Sequence, residues 1–360
     1  MTSVNAGGSF TGKTILVTGA GGSIGSALTA ALACTAPGLL LLLEHSEQAL
    51  HEIDRKLTTG FSARVVSILG DVLDGALREE LFARYHPEII FHAAAFKHVP
   101  LMEQNPLAVI RNNAIGTWEL ARTACHHRAL LLLMISSDKA VNPWSIMGAS
   151  KRVAELAMLA LARPETRMTA IRLGNVLGSQ GSVVPLFREQ IRNGGPVTVT
   201  DVDARRYFVS MDEAVELIFA AAELALGAET RAAARPCGDA SIFIPKMGEP
   251  VKIMELARQM IREANGYKSN QIEIAISGRR PGDKLSEEFV FGNEEVAPTA
   301  NEKLLRVAGG GALPMEEFMR ALTLSMQRRD VGAALEAIRK LVPEYTPSET
   351  LLAIANSSVV

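Results

Sequence analysis

Short, nearly unbroken apolar runs alternate with longer stretches whose apolar and charged positions recur at helical spacing, and this rhythm governs the first half of the chain. Residues 14–17, 39–43, 65–68, 89–91, 130–135 and 169–173 are the apolar runs. They are too short for buried helices and lack the alternation of a half-exposed strand, so they read as strands covered on both faces. Residues 26–33, 47–57 and 76–85, rich in alanine, leucine and charge, read as the helices between them. Strands alternating with helices through right-handed crossovers predict an α/β fold with a doubly wound parallel sheet.

The texture changes beyond Asn175. Glycine and proline at Gly194-Gly195-Pro196, Gly248-Glu249-Pro250 and Arg280-Pro281-Gly282 separate shorter elements, as in a smaller substrate lobe. The expected division is a dinucleotide-binding domain over 1–175, a substrate-binding lobe over 176–300 and a C-terminal helical segment over 301–360. A helix at 212–225 returns to the first domain, completing it with about residues 208–228. Helices are expected at 315–327 and 331–341, with a fraying tail after Ser348.

Length and composition narrow the class. At 360 residues the chain exceeds the roughly 250–300 residues at which single cores stop growing, which fits two lobes about one cleft. The balance of 37 basic against 39 acidic residues supplies no positive surface for nucleic acid or an anionic membrane. Cys34, Cys125 and Cys237 are odd in number and lack metal-ligand spacing, so no metal is expected and a reduced, cytoplasmic setting is. The leucine runs fall far short of the ~20 apolar residues of a membrane span, and the N-terminus shows no secretory pattern.

The chemistry concentrates at strand ends. Gly19-Ala20-Gly21-Gly22-Ser23-Ile24-Gly25 joins the first strand to the first helix, where bare backbone lets a pyrophosphate approach unpaired N–H groups. Glu44, ending the second strand, can accept from a ribose diol and repel a 2′-phosphate, favouring NAD over NADP. His45 stands beside it, either at the adenosine end or as a surface side chain. Asp71, with Val72, follows the third strand and reads either as an adenine ligand or as a helix cap. Ala93-Ala94-Ala95 offers small side chains beside the cofactor path, and Lys97 and His98 follow as a basic pair facing cofactor and substrate diphosphate or solvent. After the fifth strand come Ser136-Ser137-Asp138-Lys139-Ala140-Val141-Asn142-Pro143 and Met147-Gly148-Ala149-Ser150-Lys151, an acid and an amine side by side with a second amine opening the next helix.

These stretches resemble the extended short-chain dehydrogenase/reductases, and among them the UDP-N-acetylglucosamine 4,6-dehydratases of the polysaccharide-biosynthesis group. The likeness also rests on His92-Ala93-Ala94-Ala95-Phe96-Lys97-His98-Val99-Pro100, Asn113-Ala114-Ile115-Gly116-Thr117, Arg172-Leu173-Gly174-Asn175, Arg206-Tyr207-Phe208 and Arg280-Pro281-Gly282-Asp283-Lys284-Leu285. It implies that NAD takes hydride from sugar C4 and returns it to C6 after water leaves across C5 and C6. It also implies Asp138 as acid and Lys139 as base, with the opposite assignment open. It places Asn113 at the cofactor and Asn175, Arg206 and Arg280 at the UDP-sugar, in a homo-oligomer. The Tyr-x-x-x-Lys pair usual in the nicotinamide fold, and kept by smaller soluble members of the group, is Met147-x-x-x-Lys151 here, which resembles the group's larger, membrane-anchored branch, and a thioether cannot take the C4 hydroxyl proton. Met147 is then a pocket wall, and Lys151 is left to bind ribose and act on that hydroxyl through Ser137 or a water. A nucleotide-sugar 4-epimerase, or a silent NAD-binding sensor or scaffold, remains the alternative.

Overall fold

The protein was analysed as a computed structural model that describes residues 8–227, 240–265, 272–308 and 314–357. The first six strands are β1 Thr14–Thr18, β2 Leu39–Glu44, β3 Val65–Leu69, β4 Ile89–His92, β5 Leu131–Ser137 and β6 Arg167–Leu173, each overlapping an expected apolar run. Nine further strands follow among the described residues: β7 Asn175–Val176, β8 Val197–Val199, β9 Arg205–Arg206, β10 Phe208–Val209, β11 Ala240–Pro245, β12 Val251–Lys252, β13 Ile274–Ile276, β14 Glu295–Pro298 and β15 Leu304–Ala308. The main sheet has nine strands in the order β14-β15-β11-β6-β5-β4-β1-β2-β3. From β3 to β11 all neighbours run parallel, and β15 and β14 are antiparallel. The winding reverses between β1 and β4, opening a crevice at the carboxyl ends of those strands.

Alternation along each strand divides the core into two layers. Val17, Leu40 and Leu42 face one cluster with Leu28, Leu32 and Ile53 of helices Ser23–Ala33 and Glu47–Gly60 and with Ile218 and Phe219 of helix Met211–Leu226. Leu16, Leu41 and Leu43 face the other, with Phe82, Leu120 and Met158 of helices Gly75–Tyr85, Gly116–His126 and Ile146–Leu159. Polar caps set where the helices begin: Ser46, Asp74, Ser145 and Ser210 each accept a backbone N–H of the following turn.

A smaller lobe is built from helices Val183–Arg192 and Ile253–Asn265 around Phe187, Val197, Val199 and Ala257. Paired β8–β13 and β9–β12 border it, and β7–β10 lies at its junction with the sheet. Two expectations for the C-terminus are corrected. Residues 304–308, assigned to a helical segment, form β15, because Leu304 and Val307 find apolar partners against the sheet edge. The tail past Ser348 is helix Glu349–Ser357, held by buried Leu351 and Ala355. That helix, with Met315–Arg328 and Val331–Leu341, packs on a cluster shared with Met147, Ala149 and Val153. Cys34 and Cys125 are free thiols, and Cys237 lies outside the described residues. No helix among the described residues is long and apolar enough to cross a membrane.

Arg172 on β6 is fully buried, and each of its five N–H groups has an acceptor. Nε and Nη2 donate to the two oxygens of Glu155 at 3.0 and 2.9 Å. Nη2 and Nη1 donate to those of Glu294 at 2.8 and 2.7 Å, and Nη1 also to the Phe289 carbonyl at 2.8 Å. Ser136 of β5 adds its hydroxyl to Glu155 at 2.6 Å, and Arg152 bridges Glu155 and Glu294 while lying over the Phe291 ring. Burial works against the Glu155 charge, but Arg172 outweighs it and holds the carboxyl at about 2. That stability is complete above the ordinary carboxylate range and is lost as pH falls towards about 2. Arg172→Met leaves two buried carboxylates short of their main partner and is expected to cost about 3–5 kcal/mol in urea denaturation. A loss below about 1 kcal/mol would show that the network does not tie helix to sheet.

Candidate active site

The turn after β1 is shaped by close backbone approaches that exclude side chains. Gly19 adopts φ +65°, and a Cβ there would lie 2.7 Å from Ala94 Cα. A Cβ on Gly25 would lie 2.0 Å from the Gly19 carbonyl oxygen. The turn is thereby pressed against the Ala93–Ala94 backbone and delivers the chain into helix Ser23–Ala33. That helix opens at Gly22 with no side-chain cap, unlike its neighbours, and its first N–H groups face the crevice end of the sheet. Ser23 of this first turn accepts from Gln180 N at 3.1 Å, linking the turn to the loop after β7.

Around this turn, Glu44 is 5% exposed and its carboxylate braces the site. Oε2 accepts from Gly21 N and Oε1 from Ser46 N, both at 3.0 Å, and His45, largely in solvent, stands 3.1 Å from Oε1. Asp71 is exposed and turns inward on its own loop, accepting from Leu73 N at 2.9 Å, while Val72 is buried. His92 is buried between the hydroxyls of Thr18 and Thr117 at 2.7 and 2.9 Å. Burial, then the Lys151 charge, lowers it to about 3, so it is a neutral strut across the point where the winding reverses. The residues present fit a dinucleotide: an uncapped helix start, glycines that admit no Cβ, and a buried carboxylate at the second strand end.

The second half of the site is the turn after β5. Ser137 accepts from Lys139 N at 3.3 Å and starts the 3-10 turn Asp138–Ala140. Helix Ile146–Leu159 lets that turn sit against it because Gly148 has no side chain: a Cβ there would be 2.2 Å from the Lys139 carbonyl oxygen. Asp138 is fully buried, with Oδ1 accepting from Ser137 Oγ at 2.8 Å and Lys139 Nζ at 2.9 Å. Its Oδ2 is buried with no hydrogen-bond partner. Lys139 Nζ also donates to Asn175 Oδ1 at 3.0 Å and lies 3.7 Å from Glu287 Oε1.

One turn along the same helix, Lys151 is 4% exposed and donates to the Ile135 carbonyl at 2.7 Å. Burial, partly offset by Glu155, lowers its ammonium to about 8. Met147 is buried among apolar residues of the helix and the C-terminal segment. Asn113 exchanges two hydrogen bonds with the Phe96 backbone and donates to Ser150 Oγ at 3.1 Å, so it clamps the loop after β4 to this helix.

The structure thus brings together Ser137, Asp138, Lys139, Asn175 and Arg206, and adds Lys284 and Glu287, which sequence reading passed over. Their signal was the Lys-x-x-Glu spacing directly after Arg280-Pro281-Gly282-Asp283. Arg206 is half-buried, giving its Nη groups to the carbonyls of Arg205, Lys284 and Leu285. Arg280 is exposed and pairs with Asp283 at 2.9 Å, apart from this cluster. Lys97 is half-exposed with its ammonium lowered by burial, and His98 sits against Gly181, where a Cβ would be 2.3 Å from its ring. One expectation is reversed. A Lys139 base needs a lowered ammonium, but although burial pulls it down, Asp138 and Glu287 outweigh it and raise it. The lowered amine is Lys151.

The sequence profile of the polysaccharide biosynthesis proteins matches residues 15–309. The chain belongs to that family. A probable polysaccharide biosynthesis protein of Bacillus subtilis, EpsC, is 44% identical over 79% of the chain and 46% of its own length. The chain therefore spans about half the length of the curated relatives it matches first. Within the same reach are a UDP-N-acetylglucosamine 4,6-dehydratase (inverting) of Campylobacter jejuni, 30% identical over 79% of both chains, and a UDP-glucose 4-epimerase of Rickettsia rickettsii, 29% identical over 79% of this chain and 80% of that one. The fold is that of Pen from Bacillus thuringiensis, with TM-score 0.72 and 24% identity over 87% of this chain and 98% of that one. It is likewise that of the Thermus thermophilus UDP-glucose 4-epimerase solved with NAD, with TM-score 0.60 and 21% identity over 77% and 90%.

The depressed Lys151 ammonium has a sign that can be measured. Because its folded value lies below the ordinary lysine value, the unfolded chain binds more protons between about 8 and 10.5, and this residue's penalty on folding disappears as pH rises through that window. Carbon-13 dimethylation of the lysines, with Lys151→Met to assign the signal, is expected to show one amine titrating near 8 by NMR. Titration of Lys151 above 10 would contradict its burial.

Proposed function

We propose that the chain is an NAD-dependent UDP-N-acetylglucosamine 4,6-dehydratase. The observation that carries this reading is the Asp138–Lys139 pair, at the same carboxyl end of the sheet as the glycine turn, whose carboxylate is fully buried with one oxygen left unpartnered. Interconverting C4 epimers needs a hydride acceptor and one group for the C4 hydroxyl proton. Removing water across C5 and C6 needs in addition an acid and a base a few ångströms apart, and this pair holds one mobile proton and one lone pair. The name of the Campylobacter relative supports the same reaction, and that of the Rickettsia relative supports the epimerase. The acid–base pair favours the first.

NAD would accept hydride from C4 and return it to C6. Gly19, Gly22, Ser23, Ile24 and Gly25 would hold the pyrophosphate by backbone, and Glu44 the adenosine ribose, where its buried charge disfavours a 2′-phosphate. Lys151, near 8, is suited to receive the C4 hydroxyl proton, which Met147 cannot. The resulting ketone acidifies C5–H. The Asp138–Lys139 pair then takes the C5 proton, the freed electron pair forms the C5–C6 double bond, and C6–O breaks as the pair's own proton completes the departing water. Because Asp138 and Glu287 hold Lys139 as the ammonium, the pair divides this work with the Asp138 carboxylate as the base at C5 and the Lys139 ammonium, 2.9 Å from it, as the acid at the C6 hydroxyl, opposite to the assignment that the resemblance implies.

Incubation of the NAD-loaded protein with UDP-N-acetylglucosamine is expected to give a product lighter by one water in its mass spectrum. Asp138→Asn is expected to lower that turnover by about 100-fold or more while sparing NAD binding. An unchanged product mass with altered C4 configuration would make the protein an epimerase, and binding without turnover would make it a sensor.

A further inference from the structure

The segment 284–288 of the smaller lobe grips the Asp138 turn at three successive points. Lys284 Nζ donates to the Val141 carbonyl at 2.7 Å, Glu287 faces Lys139 at 3.7 Å, and Glu288 accepts from Asn142 Nδ2 at 2.6 Å. Asn142 has φ +40°, a left-handed conformation that costs a non-glycine residue energy and persists only where its surroundings hold it. The backbone of the gripping segment is itself fixed, since Arg205 N donates to the Leu285 carbonyl at 2.8 Å and Arg206 to those of Lys284 and Leu285.

Glu287 is 4% exposed, and its position is unusual for a buried carboxylate. Three cations surround it, Lys139 at 3.7 Å and Arg206 and Lys284 at 3.8 Å each, and none comes within hydrogen-bonding distance. Its Oε2 is buried without a hydrogen-bond partner. A buried charge held at arm's length from its counter-ions is a poor stabilising device. It acts instead through the field it imposes on the one of the three that belongs to the reacting turn. The charged groups facing Lys139 are Asp138 on its own turn, Arg206 from β9, and Lys284 and Glu287 from the gripping segment. Of these, only Asp138 and Glu287 are anions.

We propose that Glu287 is a positioning residue for water elimination: from across the cleft its carboxylate, with Asn175, holds the Lys139 ammonium beside Asp138 and sets which member of that pair carries the shared proton. The inference rests on the dehydratase reading and deepens it. Without the Glu287 charge, Lys139 gives up its proton more readily and its Nζ is free to leave the Asp138–Asn175 line. Oxidation at C4 is the task of Lys151 and the cofactor, one helical turn away, and does not use Glu287.

The two half-reactions can therefore be separated. UDP-N-acetyl-6-deoxyglucosamine can lose hydride from C4 but has no C6 hydroxyl to eliminate, so single-turnover reduction of bound NAD reports the first step alone. Glu287→Gln keeps the shape and removes the charge. It is expected to lower kcat for dehydration of UDP-N-acetylglucosamine by about 10- to 100-fold, to move the pH limb belonging to the Asp138–Lys139 pair downward, and to leave NAD reduction by the 6-deoxy analogue unchanged. Glu287→Asp, restoring the charge, is expected to recover part of the loss. An E287Q variant with wild-type kcat and pH profile would overturn the inference alone. So would loss of both half-reactions together with a lowered Tm, which marks a structural role. Absence of water loss from wild type would overturn the underlying function, and the inference with it.

Discussion

A guanidinium removed from water is tolerable only when every donor is met, and the full satisfaction of Arg172 dictates much of the surrounding structure. Its acceptors come from helix Ile146–Leu159 through Glu155, and from the segment before β14 through Glu294 and Phe289. Ser136 draws in β5. One charge thus locks the helix bearing Met147 and Lys151 to the strand that runs into Asp138, and brings the returning chain to within reach of both. Asp138 and Lys139 follow directly on the strand so fixed, Asp138 fully buried and Lys139 partly exposed.

Above it the electrostatics divide two lysines, Lys151 buried and Lys139 partly exposed, into different roles. Lys151 has a carbonyl as its hydrogen-bond partner and no carboxylate bonded to it, so burial prevails and its proton is loosely held. Lys139 lies between Asp138 and Glu287, so the anions prevail and its proton is firmly held. The proposed reaction, carried out without the customary phenol, needs such a division: one amine that can accept a proton at moderate pH and one that keeps its charge beside a carboxylate.

The architecture was legible in the sequence wherever a strand is covered on both faces, because continuous apolarity leaves few alternatives. The strands from Thr14 to Leu173 and the glycine turn follow from that pattern and from the positions where no Cβ fits. The later strands were not legible: β14 and β15 lie at one edge of the sheet and gain their partners through antiparallel pairing that no local pattern announces, and β11 joins β6 in parallel only after a long intervening stretch of chain. The helix Glu349–Ser357 was missed because its stability comes from docking, with Ser348 Oγ bonded to buried Glu103 at 2.5 Å. At the site, Asp138, Lys139 and Lys151 could be read from adjacency and spacing. Glu287 carried only the weak signal of its Lys-x-x-Glu spacing, since it meets Lys139 across almost 150 positions of chain, and it is one of the two anions that raise that lysine.

Solvent isotope at one carbon of the product tests the acid–base pair most directly. If Asp138 and Lys139 remove and later restore the proton at C5, UDP-N-acetylglucosamine turned over in heavy water must yield a dehydrated product carrying deuterium at C5, seen by NMR, with the label formed only while both side chains are intact. A product that keeps its original C5 hydrogen, or full labelling by an Asp138→Asn, Lys139→Met double variant, would contradict the account.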